Sequence, residues 1–159
     1  EEIQIYVSTP IWMTVLTAQG AVPLTDIPFW RPSDSWFGPT TMTGDLCYSK
    51  FTDAKMDLNM LEKKSHRAST KVILKNEQEE PLAVTRLNLP VPALKLYVDN
   101  EGQLWTDQVS IHQQMEHSKS VSDVRHFPPD NVAELTLISE SRQLSKKPSL
   151  LSSIRSLVG

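Results

Sequence analysis

Three carboxylates, Asp99, Glu101 and Asp107, lie close together in the stretch LKLYVDNEGQLWTDQV, residues 94–109. Carboxylates in such a group can transfer protons in catalysis or bind calcium. Asp and Asn are also the usual residues of tight turns, and residues 99–103 (DNEGQ) separate two apolar, aromatic-rich runs. The residue types therefore favour a β-hairpin with a short loop over an acid–base or calcium site.

The histidines are His66, His112, His117 and His126, and the closest two, His112 and His117, enclose Glu116. A helical zinc pair needs i and i+4 spacing, and a pair on one face of a strand needs an even spacing. The spacing of His112 and His117 meets neither condition. We therefore expect no metal site, and we predict that residues 112–131 form a polar loop with solvent-facing histidines.

Nucleophilic chemistry has weak support in this sequence. Ser35, next to Asp34, lacks the Gly-x-Ser-x-Gly pattern that exposes a serine nucleophile, and nothing in the spacing makes His66 its base. Cys47 falls inside a predicted strand, which favours a buried and inert thiol. We predict no catalytic residue and no cofactor. The alternative is an enzyme whose site is completed by residues that precede this chain.

The tryptophans divide into two groups. Trp12 and Trp105 fall in predicted strands, where packing is their expected role. Trp30 and Trp36, with Phe37, lie in residues 27–39, a segment dense in both aromatic residues and prolines. Loops are normally polar, so an aromatic loop predicts a surface patch that could bind a ligand, including the rings of a carbohydrate.

The composition restricts the class of protein. The chain has 159 residues, 39% of them hydrophobic, and a formal net charge of -3. These values fit a globular domain with a core and argue against a dedicated nucleic-acid binder. The single cysteine favours a reducing, cytoplasmic location. No apolar run approaches the roughly 20 residues of a transmembrane helix, and no signal peptide is recognisable.

Alternating apolar residues recur along the chain and predict an all-β fold. Because no helical crossover separates consecutive strand candidates, we expect an antiparallel β-sandwich built from sequential hairpins. Its domain spans residues 1–139, and one further hairpin pairs residues 70–76 with 82–89. The other strand candidates are residues 3–7, 11–16, 44–49, 54–61, the two runs of 94–109, and 132–138.

The spacing of apolar residues changes from strand-like to helical near the end of the chain. After a linker at residues 140–148, residues 149–158 have apolar side chains at helical spacing and predict a short amphipathic helix. A helix this short needs a surface to pack on: its own domain, a protein partner, or an anionic membrane. The residues predicted to bind a partner are Leu150, Leu151, Ile154, Arg155, Leu157 and Val158.

Four segments resemble an uncharacterised bacterial and archaeal family that carries a domain of unknown function. They are residues 5–12 (IYVSTPIW), 31–49 (RPSDSWFGPTTMTGDLCYS), 66–70 (HRAST) and 86–109 (RLNLPVPALKLYVDNEGQLWTDQV). The resemblance carries over no catalytic residue. Because members are often encoded near small mechanosensitive-type channels, it implies an accessory role on a membrane channel. Members are usually longer at the N-terminus, and the opening EEIQIYVSTP also makes us expect an incomplete N-terminus.

The function predicted from the sequence is a non-catalytic binding or assembly module. It would dock on a protein partner, with a membrane-channel complex as the candidate, through the C-terminal helix or the loop that carries Trp30 and Trp36. It would reach a membrane through that partner, and a homo-oligomer is a further form of assembly. The alternatives are a carbohydrate-binding module and the enzyme described above.

Overall fold

The computed structural model describes residues 1–18, 23–31, 36–37, 42, 45–47, 54–81, 83–84, 87–116 and 119–143. Strands dominate this described part, which confirms the mainly β class. In chain order the strands are β1 (Glu2–Pro10), β2 (Trp12–Leu16), β3 (Pro23–Pro28), β4 (Trp36–Phe37), β5 (Asp45–Leu46), β6 (Arg67–Asn76), β7 (Leu96–Asp99), β8 (Leu104–Thr106), β9 (Gln108–Glu116), β10 (Lys119–Phe127) and β11 (Leu135–Ser139).

Strand β6 lies at the centre of a curled seven-stranded sheet. Strand β1 pairs antiparallel with it along one edge, from Glu2 opposite Lys75 to Pro10 opposite Arg67. Its other edge pairs with β8 at Ser69 and with β9 from Val72 to Asn76. Strand β10 then pairs with β9, and β7 and β11 extend the sheet from β8.

The pairing of β6 corrects the prediction of an antiparallel sandwich. Strands β8 and β9 run parallel to β6, so the sheet is mixed. Parallel neighbours need a long crossover, and the chain between β6 and β8 supplies one without an α-helix in its described residues. Leu87 and Leu89 of this crossover pack against the core, whereas the sequence had predicted residues 82–89 as the hairpin partner of β6.

The core lies on one face of the sheet, where the pleat brings alternate residues of neighbouring strands together. Val7 of β1, Val72 of β6, and Val109 and Ile111 of β9 are almost fully buried, and Leu94 of the crossover covers them. Beta-branched residues fill most of these positions because they fit a pleated, buried surface well.

Two further segments differ from the sequence prediction. Residues 54–61 were expected to be a strand because of their alternating period, but only a bridge between Lys55 and Tyr6 and a single 3-10 turn at Leu58–Met60 are present. The predicted polar loop at 112–131 contains much of the β9–β10 hairpin. The predicted hairpin in residues 94–109 is confirmed as β7 and β8.

Two small antiparallel pairs lie outside the large sheet. One joins β2 to β3, with Met13 opposite Ile27 and Thr14 opposite Asp26. The other joins β4 to β5. The predicted C-terminal helix at residues 149–158 lies outside the described residues, so the described architecture is one curled sheet and two two-stranded sheets.

Candidate functional site

The carboxylate of Asp99 has the turn role that its sequence context predicts. Its Oδ1 atom accepts hydrogen bonds from the backbone N–H groups of Glu101, at 3.0 Å, and Gln103, at 2.8 Å. Trp105 Nε1 donates to Oδ2 at 2.9 Å, and Gly102 has the positive φ of 81° that favours glycine. Burial raises the pKa of Asp99, but these hydrogen bonds outweigh it and hold that pKa below the usual value.

Asp107 has a different role, which the turn interpretation missed. It lies between β8 and β9, and the residue is 2% exposed. Its Oδ1 accepts a hydrogen bond from the Tyr97 hydroxyl at 2.8 Å, and its Oδ2 accepts one from the Lys95 backbone N–H at 3.1 Å. Burial, followed by the hydrogen bond to Asp107, raises the pKa of Tyr97 well above its ordinary value.

His126 brings an imidazole to the same carboxylate. It lies opposite Val109 in the β9–β10 pairing, and its Nδ1 atom is 3.4 Å from Asp107 Oδ2. The His126 side chain remains 27% exposed. A carboxylate beside Nδ1 orients the imidazole ring. Tyr97, Asp107 and His126 therefore form a polar cluster at the junction of β8 and β9.

A buried chain of threonine hydroxyls leads to this junction from β1, across β6. The Oγ1 atoms of Thr9 and Thr70 are 2.9 Å apart, and those of Thr70 and Thr106 are 2.7 Å apart. Thr106 donates to the carbonyl of Asp107 at 2.9 Å. Since each hydroxyl has a single proton, the bond from Thr106 to this carbonyl requires Thr70 to donate to Thr106. Thr9 has one proton for two acceptors, the Thr70 hydroxyl and the Ala68 carbonyl at 3.2 Å, so the bonds of the chain are directed from Thr70 onward.

Ser110, His112 and Glu77 resemble a nucleophilic triad. Ser110 Oγ is 2.8 Å from His112 Nε2, and His112 Nδ1 is 3.8 Å from Glu77 Oε1. Acyl transfer also needs N–H donors for the developing oxyanion. Ser110 is in the middle of β9, which is paired with β6 and β10, so its backbone N–H belongs to the sheet. Ser110 is also buried, and the trio is therefore poorly arranged for nucleophilic catalysis.

On the face of the sheet opposite Val72, the Lys71 side chain is 8% exposed and pairs with Asp130 at 2.8 Å. The hydrogen bond from Lys71 lowers the pKa of Asp130, against a smaller opposing effect of burial. Gln108 also bonds to Asp130. Lys71 is therefore a buried lysine with its counter-ion, which is a structural role.

The other residues considered as metal ligands or nucleophiles are dispersed. His66 stacks on Trp30, and His117 and Ser35 lie outside the described residues. Cys47 is half-buried and follows β5 rather than lying in it. Within the described ranges, no three His, Cys, Asp or Glu side chains are grouped as metal ligands.

The pair of strands β2 and β3, which we call the ribbon, has two unlike faces. Register places Trp12, Thr14, Asp26 and Pro28 on one face. Arg142 packs on part of that face, with its guanidinium 5.0 Å from the Trp12 ring centroid and an ion pair to Asp26, while Thr14 remains exposed.

The other face of the ribbon is apolar. Met13 opposes Ile27 in the register, Val15 is on the same side, and a hydrogen bond from Phe29 N–H to Ile11 extends the pairing by one position. Met13, Val15, Ile27 and Phe29 form what we call the ribbon face, and their exposures are 44%, 37%, 45% and 50%. The alternation of residues 11–16 was visible in the sequence, but the register that joins it to Ile27 was not.

The predicted aromatic patch is only partly described. Trp30 is 50% exposed, and its ring stacks on His66 with the centroids 5.0 Å apart and an angle of 14° between the planes. Trp36 is 45% exposed. For Phe37 the structure describes the backbone and not the side chain. The predicted partner-binding residues Leu150, Leu151, Ile154, Arg155, Leu157 and Val158 are also outside the described residues.

Comparison with known proteins gives a family but not an activity. The family model described as protein of unknown function (DUF432) matches residues 1–157. The chain belongs to the DUF432 family. This confirms the expectation of an uncharacterised family. No curated protein and no solved structure matches this DUF432 chain. Among its described residues, no helix has the length and apolar character needed to cross a bilayer.

The cluster around Asp107 generates a stability prediction for the DUF432 chain. Replacing Tyr97→Phe removes one hydrogen bond to a buried carboxylate, so we expect the free energy of unfolding to fall by about 1.5–3 kcal/mol. The Asp107→Asn change should cost a similar amount or more, and the double variant should cost less than the sum because the two side chains are in contact. Urea unfolding measures all three, and strictly additive losses would contradict the coupling.

Proposed function

We propose that this chain is a non-catalytic binding module that assembles with a protein partner through the ribbon face. The observation that carries the proposal is the pairing of Met13 and Ile27, with Val15 and Phe29 beside them, on a side of the ribbon that faces solvent. Such a continuous apolar strip on a small domain is typical of an interaction surface.

The low intrinsic stability of the ribbon supports this proposal. A two-stranded hairpin is marginally stable by itself in water, and the contacts described for the ribbon are on the face that carries Trp12 and Asp26. Its apolar face therefore gains most from a partner, because each Å² of apolar surface removed from water contributes about 25 cal/mol. Methionine and aromatic side chains are also enriched in the centres of protein interfaces.

The polar groups at the ribbon suit the rim of an interface. Asp26 accepts a hydrogen bond from Thr14 Oγ1 at 3.1 Å and pairs with Arg142, so both of its oxygens are already engaged. Charges that are neutralised within the domain do not need a new partner when water is excluded. An apolar protein segment could therefore cover the ribbon face without leaving these groups unpaired.

We further propose that the partner belongs to a membrane-channel complex and that the chain works on its cytoplasmic side. The sequence resemblance supports the first part, since it implies channel-associated relatives. The single cysteine of the chain supports the second.

A second candidate function is carbohydrate binding by Trp30. Its ring stacks on His66, which fixes its orientation, and half of the residue is exposed. A fixed, partly exposed aromatic ring is suited to stacking on a sugar. Trp36 is the other exposed tryptophan of the predicted patch.

The protein-binding proposal predicts a loss of partner in ribbon-face variants. The chain is purified from its native cell, its co-purifying proteins are identified, and binding to the purified partner is then measured. Met13→Glu and Ile27→Glu should each weaken binding by about 2 kcal/mol or more, because a charge is forced into an apolar contact. The matched control is Met56→Glu, which places the same change at a methionine that is 70% exposed elsewhere.

Equal binding by the Met13, Ile27 and Met56 variants would show that the ribbon face is not the docking surface. If no protein co-purifies with the unaltered chain, the assembly function itself is wrong. Circular dichroism of each variant checks that the fold is retained.

The carbohydrate candidate predicts a change in tryptophan fluorescence when oligomers of β-1,4-linked glucose or N-acetylglucosamine are added. Trp30→Ala should abolish the change, and His66→Ala should weaken binding because the ring loses its support. Trp12→Phe should keep the response, since that ring is covered by Arg142. A chain whose fluorescence does not respond to either oligomer has no such site.

A further inference from the structure

The last described residues of the chain are held against the ribbon. Arg142 lies over Trp12 and pairs with Asp26, and the backbone N–H of Gln143 donates to the carbonyl of Pro92 at 2.9 Å. The described chain is therefore fixed to the ribbon at Arg142, on the side opposite the ribbon face.

The sequence that follows combines a short polar connector with an apolar segment. Residues 144–149 read LSKKPS, and residues 150–158 read LLSSIRSLV. The apolar residues of the second segment are Leu150, Leu151, Ile154, Leu157 and Val158. These side chains need an apolar surface, and the ribbon face is an exposed apolar surface close to Arg142, the last described contact with the ribbon.

The connector is long enough to reach that surface. An extended chain spans at most about 3.3–3.6 Å per residue, so the path from residue 143 to residue 150 covers at most about 23–25 Å. The ribbon is two strands wide, and neighbouring strands are about 4.8 Å apart. The segment can therefore pass around the edge of the ribbon from the Arg142 side to the ribbon face.

We propose that residues 150–158 of the same chain occupy the ribbon face when no partner is bound. The attachment at Arg142 and Gln143 favours this occupant over a second copy, because a short tether gives an effective concentration in the millimolar range. The segment then acts as an intrachain competitor for the docking surface.

The regulatory meaning of this contact rests on the proposed function. An external protein can bind the ribbon face only in the fraction of molecules whose segment has detached, and its apparent affinity falls by that fraction. If the ribbon face is free in about one-tenth of the molecules, a variant whose segment cannot bind it should have about ten-fold higher apparent affinity for the external protein.

Cysteine cross-linking of the full chain tests the contact directly. In a Cys47→Ser background, Met13→Cys and Ile154→Cys are combined and treated with a short bismaleimide. We expect an intramolecular cross-link whose yield does not depend on protein concentration. The control replaces Thr14→Cys instead of Met13→Cys, which moves the thiol to the Arg142 side of the same strand, and should give little product.

Three results would overturn the proposal. One is the absence of a cross-link between positions 13 and 154. Another is an equal yield from position 14, which would mean that the segment moves without a preferred surface. The third is a cross-linked dimer whose yield rises with concentration, which would make a second copy the occupant.

A second measurement leaves Cys47 in place. Leu151→Asp combined with Ile154→Asp in the full chain should increase the fluorescence of bound bis-ANS, because the ribbon face becomes exposed, and adding Met13→Glu should remove the increase. The control pair is Ser152→Asp with Ser153→Asp, which adds the same charge. A decrease for the Leu151/Ile154 variant would mean that the segment was itself the exposed apolar surface and would contradict the proposal.

Neither measurement needs a partner. A chain that forms the intrachain contact but retains no protein in purification would refute the proposed function alone. Ribbon-dependent partner binding without the cross-link would refute the intrachain contact alone.

Discussion

The pairing of β6 along both of its edges is the constraint on which the rest of the fold depends. Thr70 and Val72 of β6 point to the core face of the sheet. Strands β1 and β9 must pair in a register that places their apolar residues on the same face, because a shift of one residue would turn those residues to the other face. Strands β8 and β9 share the second edge of β6, and a single residue separates them. Any change in their pairing register along β6 must therefore occur at that residue. That residue is Asp107.

The change in register at this position is visible in the pairing of β6. Ser69 is opposite Trp105, whereas Val72 is opposite Val109, so β8 and β9 together contain one residue more than the matching length of β6. An extra residue of this kind interrupts a ladder and turns its side chain in a new direction. Here it directs a carboxylate into the interior, where Tyr97 and His126 and a backbone N–H compensate its burial. The polar cluster is thus a consequence of the sheet geometry.

The parts of the fold that depend on local residue types could be predicted from the sequence. The turn at 99–103 follows from Asp99 and Gly102, and the mainly β class follows from alternating apolar residues. The parallel pairing of β6 could not be predicted, because it joins segments that are far apart in sequence and that have no local signal. Residues 112–131 contain much of a strand pair with a mostly polar sequence, which composition alone assigned to a loop. Residues 54–61 show the opposite error. Their apolar and polar side chains alternate as in a strand, but the segment does not form one.

The candidate site was predicted less well than the fold. Trp30 and Trp36 were expected at the surface and are exposed there. The strip that joins Met13 to Ile27 needed the β2–β3 register, and the grouping of Asp107 with Tyr97 and His126 needed the β8–β9 junction and the β9–β10 pairing. Each strand showed its own alternation, but a surface or a cluster is made by several strands, and a sequence does not state which strands are neighbours.

The most direct test of this account is amide hydrogen exchange of the full chain, resolved by residue. Strands β6 and β9 are paired on both edges and cover the core, so their amides should exchange only through global unfolding. Amides of β2 and β3 should exchange faster, through local opening of a ribbon that the large sheet does not include. If β6 exchanged as fast as the ribbon, β6 would not be the strand that holds the structure together, and the account would be wrong.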